Sequence, residues 1–79
     1  MMKAITTEKA VMMIERENVL TFKTEKEITK EQIKKEIEEL FNVKVKDVRT
    51  LIRGNKKYAY VKLKPEFLAI DLATKLGMM

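Results

Sequence analysis

The sequence predicts an α+β fold: a small mixed or antiparallel sheet of three to four strands with helices packed on it, in the order helix, strand, helix, strand, strand, helix. Three observations carry this expectation. "ITKEQIKKEIEELF" (28–41) sets apolar residues at helical spacing behind a capping signal. "VRTLIRGNKKYAYVKLK" (48–64) reads as two alternating runs joined at Gly54-Asn55, a hairpin. A third alternating run, "NVLTFKT" (18–24), precedes the 28–41 segment, which makes that helix a crossover between strands.

The elements follow in chain order. Thr6-Thr7-Glu8 opens a first helix to about Glu17, with hydroxyl caps, an acidic first turn and Ala10, Met13 and Ile14 on one stripe. The few residues before Thr6 read as a short edge strand. In 18–24, Leu20 and Phe22 alternate with Val19, Thr21 and Lys23, as a half-buried strand requires. Thr29 and Gln32 fit a capping box, Ile28 and Ile33 the hydrophobic staple around it, and Ile33, Ile37, Leu40 and Phe41 the buried stripe of the second helix. The outer face of that helix, Glu31, Lys34, Lys35, Glu38 and Glu39, mixes signs at neighbouring turns and reads as solvated.

The strand from about Lys46 to Arg53 turns Val48, Thr50 and Ile52 one way and Asp47, Arg49, Leu51 and Arg53 the other. After the turn, Ala59, Val61 and Leu63 share one face while Tyr58, Tyr60, Lys62 and Lys64 share the opposite one. Pro65 suits a first helical turn and Gly77 a C-terminal cap, framing a last helix with Leu68, Ala69, Leu72, Ala73 and Leu76 on one face. With the two crossover-linked strands parallel, the hairpin strand slots between them.

Composition narrows the chemistry. Seventy-nine residues make one domain (1–79), of a size that leaves roughly 40% of its unfolded surface exposed, so no deep substrate cavity is expected. With no Cys and no His, disulfides, thiolate zinc sites, Cys nucleophiles and imidazole bases are excluded. Acylphosphatase-like chemistry needs an anion-cradling glycine-rich loop, and Gly54 and Gly77 are too isolated to form one. The sequence therefore reads as non-enzymatic, without metal or cofactor. No apolar stretch approaches the ~20 residues of a membrane span and no signal-peptide core opens the chain, so membrane insertion is not expected and the cytoplasm is the expected compartment.

Charge is unevenly placed. Residues 1–42 carry 8 Lys/Arg against 9 acidic residues, whereas residues 43–79 carry 9 against 3, so the net charge of +5 belongs to the C-terminal half. Such asymmetry fits a polyanion met on one side of the molecule. The face opposite the core would gather Val19, Thr21, Lys23, Arg49, Leu51, Arg53, Tyr58, Tyr60 and Lys62. Aromatic rings there can stack on unpaired bases while the cations hold phosphates, a mixture suited to RNA. The same tyrosines equally suit an amphipathic strand packing beneath lysine stems. Arg53, Lys56 and Lys57 at the hairpin tip repel one another until an anion relieves them.

Three blocks carry a family resemblance: "TTEKA" before a short helix, "LTFKTEKEITKEQIKKEIEELFNVKVKDVRTL", and "KKYAYVKL", in unbroken order from about residue 6 to residue 64. Together they resemble the large-subunit ribosomal protein family numbered twenty-three. The resemblance implies a structural protein bound to large-subunit ribosomal RNA at the polypeptide exit. It further implies a neighbouring small helical ribosomal protein, and docking of the signal recognition particle and nascent-chain factors. The family's Thr/Ser-Glu-Lys block falls on Thr7, Glu8 and Lys9, which implies exit-factor docking at Glu8 and RNA contact at Thr7 and Lys9. Its Val-Asn-Thr falls on Val48, Arg49 and Thr50, with Arg49 departing from the Asn, and its Lys-Lys-Ala/Tyr falls on Lys56, Lys57 and Tyr58. The hairpin at Arg53 to Lys57 is too short to enter the tunnel as bacterial relatives' loops do, so the chain resembles the archaeal type.

Two other readings compete. A free-standing RNA-binding module that resembles a recognition-motif sheet would need aromatics at matched positions on two neighbouring strands. A protein adaptor would work through the charged helix at 30–41.

Overall fold

In the computed structural model, which describes residues 3–5 and 7–76, the elements are β1 (Lys3–Ala4), α1 (Glu8–Glu17), β2 (Val19–Glu25), α2 (Lys30–Phe41), β3 (Val45–Arg53), β4 (Lys56–Leu63) and α3 (Ala69–Lys75). The expected α+β order holds, and β1 is the short edge strand. The sheet runs β1-β2-β4-β3 with every neighbouring pair antiparallel. Because β4 is antiparallel to both β2 and β3, those two run parallel and α2 is the crossover between them.

Local chemistry accounts for the first two helices. Thr7 caps α1, its hydroxyl accepting from the Ala10 amide at 3.1 Å. The expected capping box forms on α2: Thr29 Oγ1 accepts from the Gln32 amide at 3.2 Å, and Gln32 Oε1 accepts from the Thr29 amide at 2.9 Å. Both helices end on an asparagine in the left-handed region, Asn18 (φ 59°) and Asn42 (φ 54°), where a short polar side chain is tolerated. On α2, Ile33 and Ile37 are buried and Phe41 packs partly against the core, but Leu40 is 65% exposed, so the buried stripe is narrower than expected. Glu38 does not belong to a merely solvated face. Its carboxylate accepts from the Val45 amide at 2.9 Å and so holds the entry to β3.

β3 begins one residue earlier than the alternation suggests, because it carries a bulge. Val45 pairs with Leu63 and Asp47 with Lys62, leaving Lys46 as the extra residue. The insertion lets Val45 and Val48, three positions apart, both face the core. At the far end Arg53 pairs with Lys56 across a two-residue turn, with positive φ confined to Gly54 (φ 60°), the first central position, as in a type II′ hairpin.

The last helix differs most from expectation. It starts at Ala69, and Pro65 lies in a preceding turn where the Phe67 amide donates to the Lys64 carbonyl at 2.9 Å. Leu68, at the N-cap, has no side-chain oxygen to offer and is 55% exposed rather than on the buried stripe. The missing cap comes from Asn18. Its Oδ1 accepts from the Ala69 amide at 2.6 Å, while its Nδ2 donates to the carbonyls of Phe67 at 2.8 Å and Leu63 at 3.3 Å. Gly77 and Thr6, expected as caps, lie outside the described residues.

One core joins the elements. Leu20, Phe22, Ala59, Val61 and Leu63 supply its sheet side, and Ile33, Ile37, Leu72 and Ile14 close it from the helices. Full burial of Leu20, Ile33, Ile37 and Leu63 contributes about 1.5–3 kcal/mol each. No helix among the described residues is long and apolar enough to cross a membrane.

Candidate nucleic-acid interface

The sheet face opposite the core is not an open plane. Ile14 of α1 joins the core, while Ala10 and Met13 turn toward Thr21 and Tyr60, so α1 straddles the β2 edge and walls one side of that face. Val19 and Thr21, expected on an accessible surface, are consequently only 6% and 5% exposed. The accessible part is a groove with β4 as its floor, α1 as one wall and β3 as the other.

The groove has two contiguous concavities. The smaller, about 230 Å³, is lined by Thr7, Lys9, Leu51, Arg53, Tyr58 and Tyr60, among others, with no acidic side chain. The larger, about 610 Å³, gathers Lys9, Lys46, Arg49 and Lys62 around Tyr60, against Glu17 and Asp47. Lys9, Met13 and Tyr60 belong to both. Cations outnumber acids in each, which makes the whole groove attractive to an anion.

Strand register fixes the floor. Tyr60 lies between Thr21 and Arg49, Tyr58 between Lys23 and Leu51, and Lys62 between Val19 and Asp47. No aromatic residue adjoins either tyrosine on a neighbouring strand, so the paired-aromatic arrangement of a recognition-motif sheet is not formed. Both tyrosines are half-buried. Each ring therefore packs along one side and keeps surface open to the groove. Arg49 is tied to Asp47 by a 3.4 Å ion pair, but with side-chain exposures of 84% and 54% that pair contributes only about 0–1 kcal/mol and leaves the guanidinium free to exchange partners.

Of the residues singled out in the sequence, the fold brings Thr7, Lys9, Arg49, Arg53, Tyr58, Tyr60 and Lys62 into this groove. Lys56 shares their face by strand alternation and is exposed beside Arg53. Two residues point elsewhere. Lys57 alternates to the core side, where its Nζ donates to the Ile28 carbonyl at 2.7 Å, and Thr50 is half-buried on that side as well. The three-cation hairpin tip is thus split across the sheet. Glu8 is exposed in the first turn of α1, and its neighbour Lys9 is the residue that lines the groove.

Lys46 and Met13 are groove residues that sequence alternation missed. The bulge re-aims Lys46, and Met13 reads equally as core on a helical stripe. Among the described residues no three carboxylate, imidazole or thiol side chains gather where a metal ion could be held.

The family described as "Ribosomal protein L23" matches residues 1–66. The chain is also similar to "Large ribosomal subunit protein uL23" of Pyrobaculum aerophilum, 49% identical over 79 residues that cover 98% of this chain and 96% of that protein. The chain belongs to the ribosomal protein L23 family, whose members are structural constituents of the ribosome rather than catalysts.

Proposed function

We propose that residues 1–79 act as one domain in the large ribosomal subunit, held on large-subunit ribosomal RNA through the groove between α1, β3 and β4. The observation that carries the reading is the convergence of Lys9, Lys46, Arg49, Arg53 and Lys62 on two half-buried tyrosines in a chain of this family. Affinity comes mainly from phosphate contacts, because cations dominate the walls and few groups there could read base edges. Tyr60, common to both concavities, offers a ring on which one unpaired base can stack, for about 1–3 kcal/mol.

The position within the subunit follows from the family resemblance. The protein borders the polypeptide exit beside a small helical ribosomal protein, in the cytoplasm, with Glu8 presented to the signal recognition particle and nascent-chain factors. A carboxylate in that role must face away from phosphate. The exposure of Glu8, with Lys9 turned to the groove, supports this division. The two-residue turn at Gly54-Asn55 is too short to carry the hairpin into the tunnel.

The test is binding of the full chain to large-subunit ribosomal RNA across a salt series. Neutralising Arg49, Lys62 or Lys9 lowers the log–log salt slope by roughly one unit each. Unchanged affinity and slope in all three variants would place the RNA on another surface. Co-sedimentation with large subunits at moderate salt separates a ribosomal constituent from a free-standing RNA-binding module.

A further inference from the structure

A second groove lies on the helical side, between the C-terminal end of α2 and α3. Its walls include Phe41, Val43, Phe67 and Leu68, and its volume is about 410 Å³. The packing explains why it stays open. α3 rests mainly on α1 and β2, whereas α2 rests on β3 and β4, so the seam between the two helices is not closed by either. Leu68 is 55% exposed here and Leu40, at the end of α2, is 65% exposed, leaving apolar surface without a partner within the chain.

Charge decides what can cover it. The C-terminal half carries only three acidic residues, Asp47, Glu66 and Asp71. Asp47 is engaged by Arg49 and by the Val48 amide. The other two both lie on this groove, with Lys75 as the single cation beside them. In a half-chain of net charge +6 the local sign is therefore reversed, and phosphate is disfavoured where it is favoured on the opposite side of the sheet. A second copy seated through the same patch would set Glu66 and Asp71 against their own counterparts, which is repulsive.

We propose that this groove docks a basic segment of another protein, an extended or helical peptide that sets apolar side chains against Phe41, Val43, Phe67 and Leu68 and Lys or Arg side chains against Glu66 and Asp71. The apolar floor supplies contact and the acidic rim selects the sign of the partner. The chain is then two-sided. Its sheet meets an anion and its helical seam meets a cationic peptide, so one small domain can join a polyanion to a basic protein tail.

The probe is a labelled synthetic peptide of alternating Lys and Leu/Phe, compared with a counterpart carrying Glu for Lys, both titrated into the full chain with amide NMR shifts followed. Docking predicts preference for the basic peptide, with shifts confined to residues 41–43 and 66–75. Neutralising the rim with Glu66→Gln and Asp71→Asn weakens that peptide about 3- to 10-fold, while leaving the RNA salt slope unchanged. Leu68→Ser, at an exposed position, weakens it without unfolding the chain. The proposal is overturned if both peptides bind equally, if the shifts fall on Tyr58 and Tyr60, if RNA produces the shifts at 66–75, or if those residues respond to protein concentration alone. Because the shift map is recorded on the unsubstituted chain, a variant that fails to fold does not blunt the test.

Discussion

Asn18 is the residue whose removal is expected to cost most for its size. It ends α1 in the left-handed region and its side chain spans four backbone groups, capping α3 through the Ala69 amide and holding the carbonyls of Phe67, Leu63 and, more loosely, Lys64. Asn18→Ala removes a helix cap, about 0.5–2 kcal/mol. It also forces alanine to a φ of 59°, about 1–2 kcal/mol more. The sum, about 1.5–4 kcal/mol, is a large share of the roughly 4–12 kcal/mol that a chain this size commands. Asn18→Gly loses the cap but escapes the backbone penalty, so it should be less destabilised than the alanine variant by about 1 kcal/mol. Urea denaturation gives both values, and amide exchange at Ala69 and Leu72 locates the loss in α3. If the glycine variant were as stable as the parent, the clamp would contribute nothing. If the glycine and alanine variants were equal, the left-handed backbone at position 18 would not be a constraint.

Other outcomes follow from single contacts. Thr29→Ala should lower stability by about 0.5–2 kcal/mol by breaking the capping box, and an unmoved denaturation midpoint would deny the cap a role in solution. Lys57→Gln should lower stability through loss of the bond to the Ile28 carbonyl while leaving the RNA salt slope in place, the opposite of Lys62→Gln; a lowered slope for Lys57→Gln would return that side chain to the RNA face. Glu8→Ala should leave assembly into large subunits intact and slow association of an exit-site factor at low salt, and equal association rates at all salts would remove Glu8 from docking.

Much of this was legible where the determinants are local. Thr29, Gln32, Ile28 and Ile33 lie within one turn of each other, so the sequence announces the start of α2. Gly54 likewise announces the hairpin, and alternation assigns Tyr58, Tyr60 and Lys62 to one face. What escaped depends on contacts between distant segments. The start of α3 is set by Asn18, a residue in another helix's terminus, so Pro65 was a misleading local sign. Val19 and Thr21 look accessible until α1 is laid across the β2 edge, which no strand pattern reveals. At the hairpin tip, neighbours in sequence are opposites in space: Lys56 and Lys57 already lie within β4, so strand alternation puts them on different faces. The bulge hid Val45 and Lys46 by breaking the alternation from which they would have been read.

That bulge also bears on the life of the chain before it meets a partner. A sheet with open margins is a template for addition of further strands from other molecules, and a basic protein made in quantity for an assembly must avoid this while it waits. Here one margin, β1, is two residues long and offers almost no template. The other, β3, is nine residues long, but it is interrupted at Lys46 and carries Arg49 and Arg53 toward its hairpin end. An incoming copy of the same strand would meet a broken hydrogen-bond ladder and its own cations. Irregularity at that margin is thus a safeguard against fibril growth, and a change that straightened β3 at Lys46 would trade solubility of the unassembled protein for a more regular sheet.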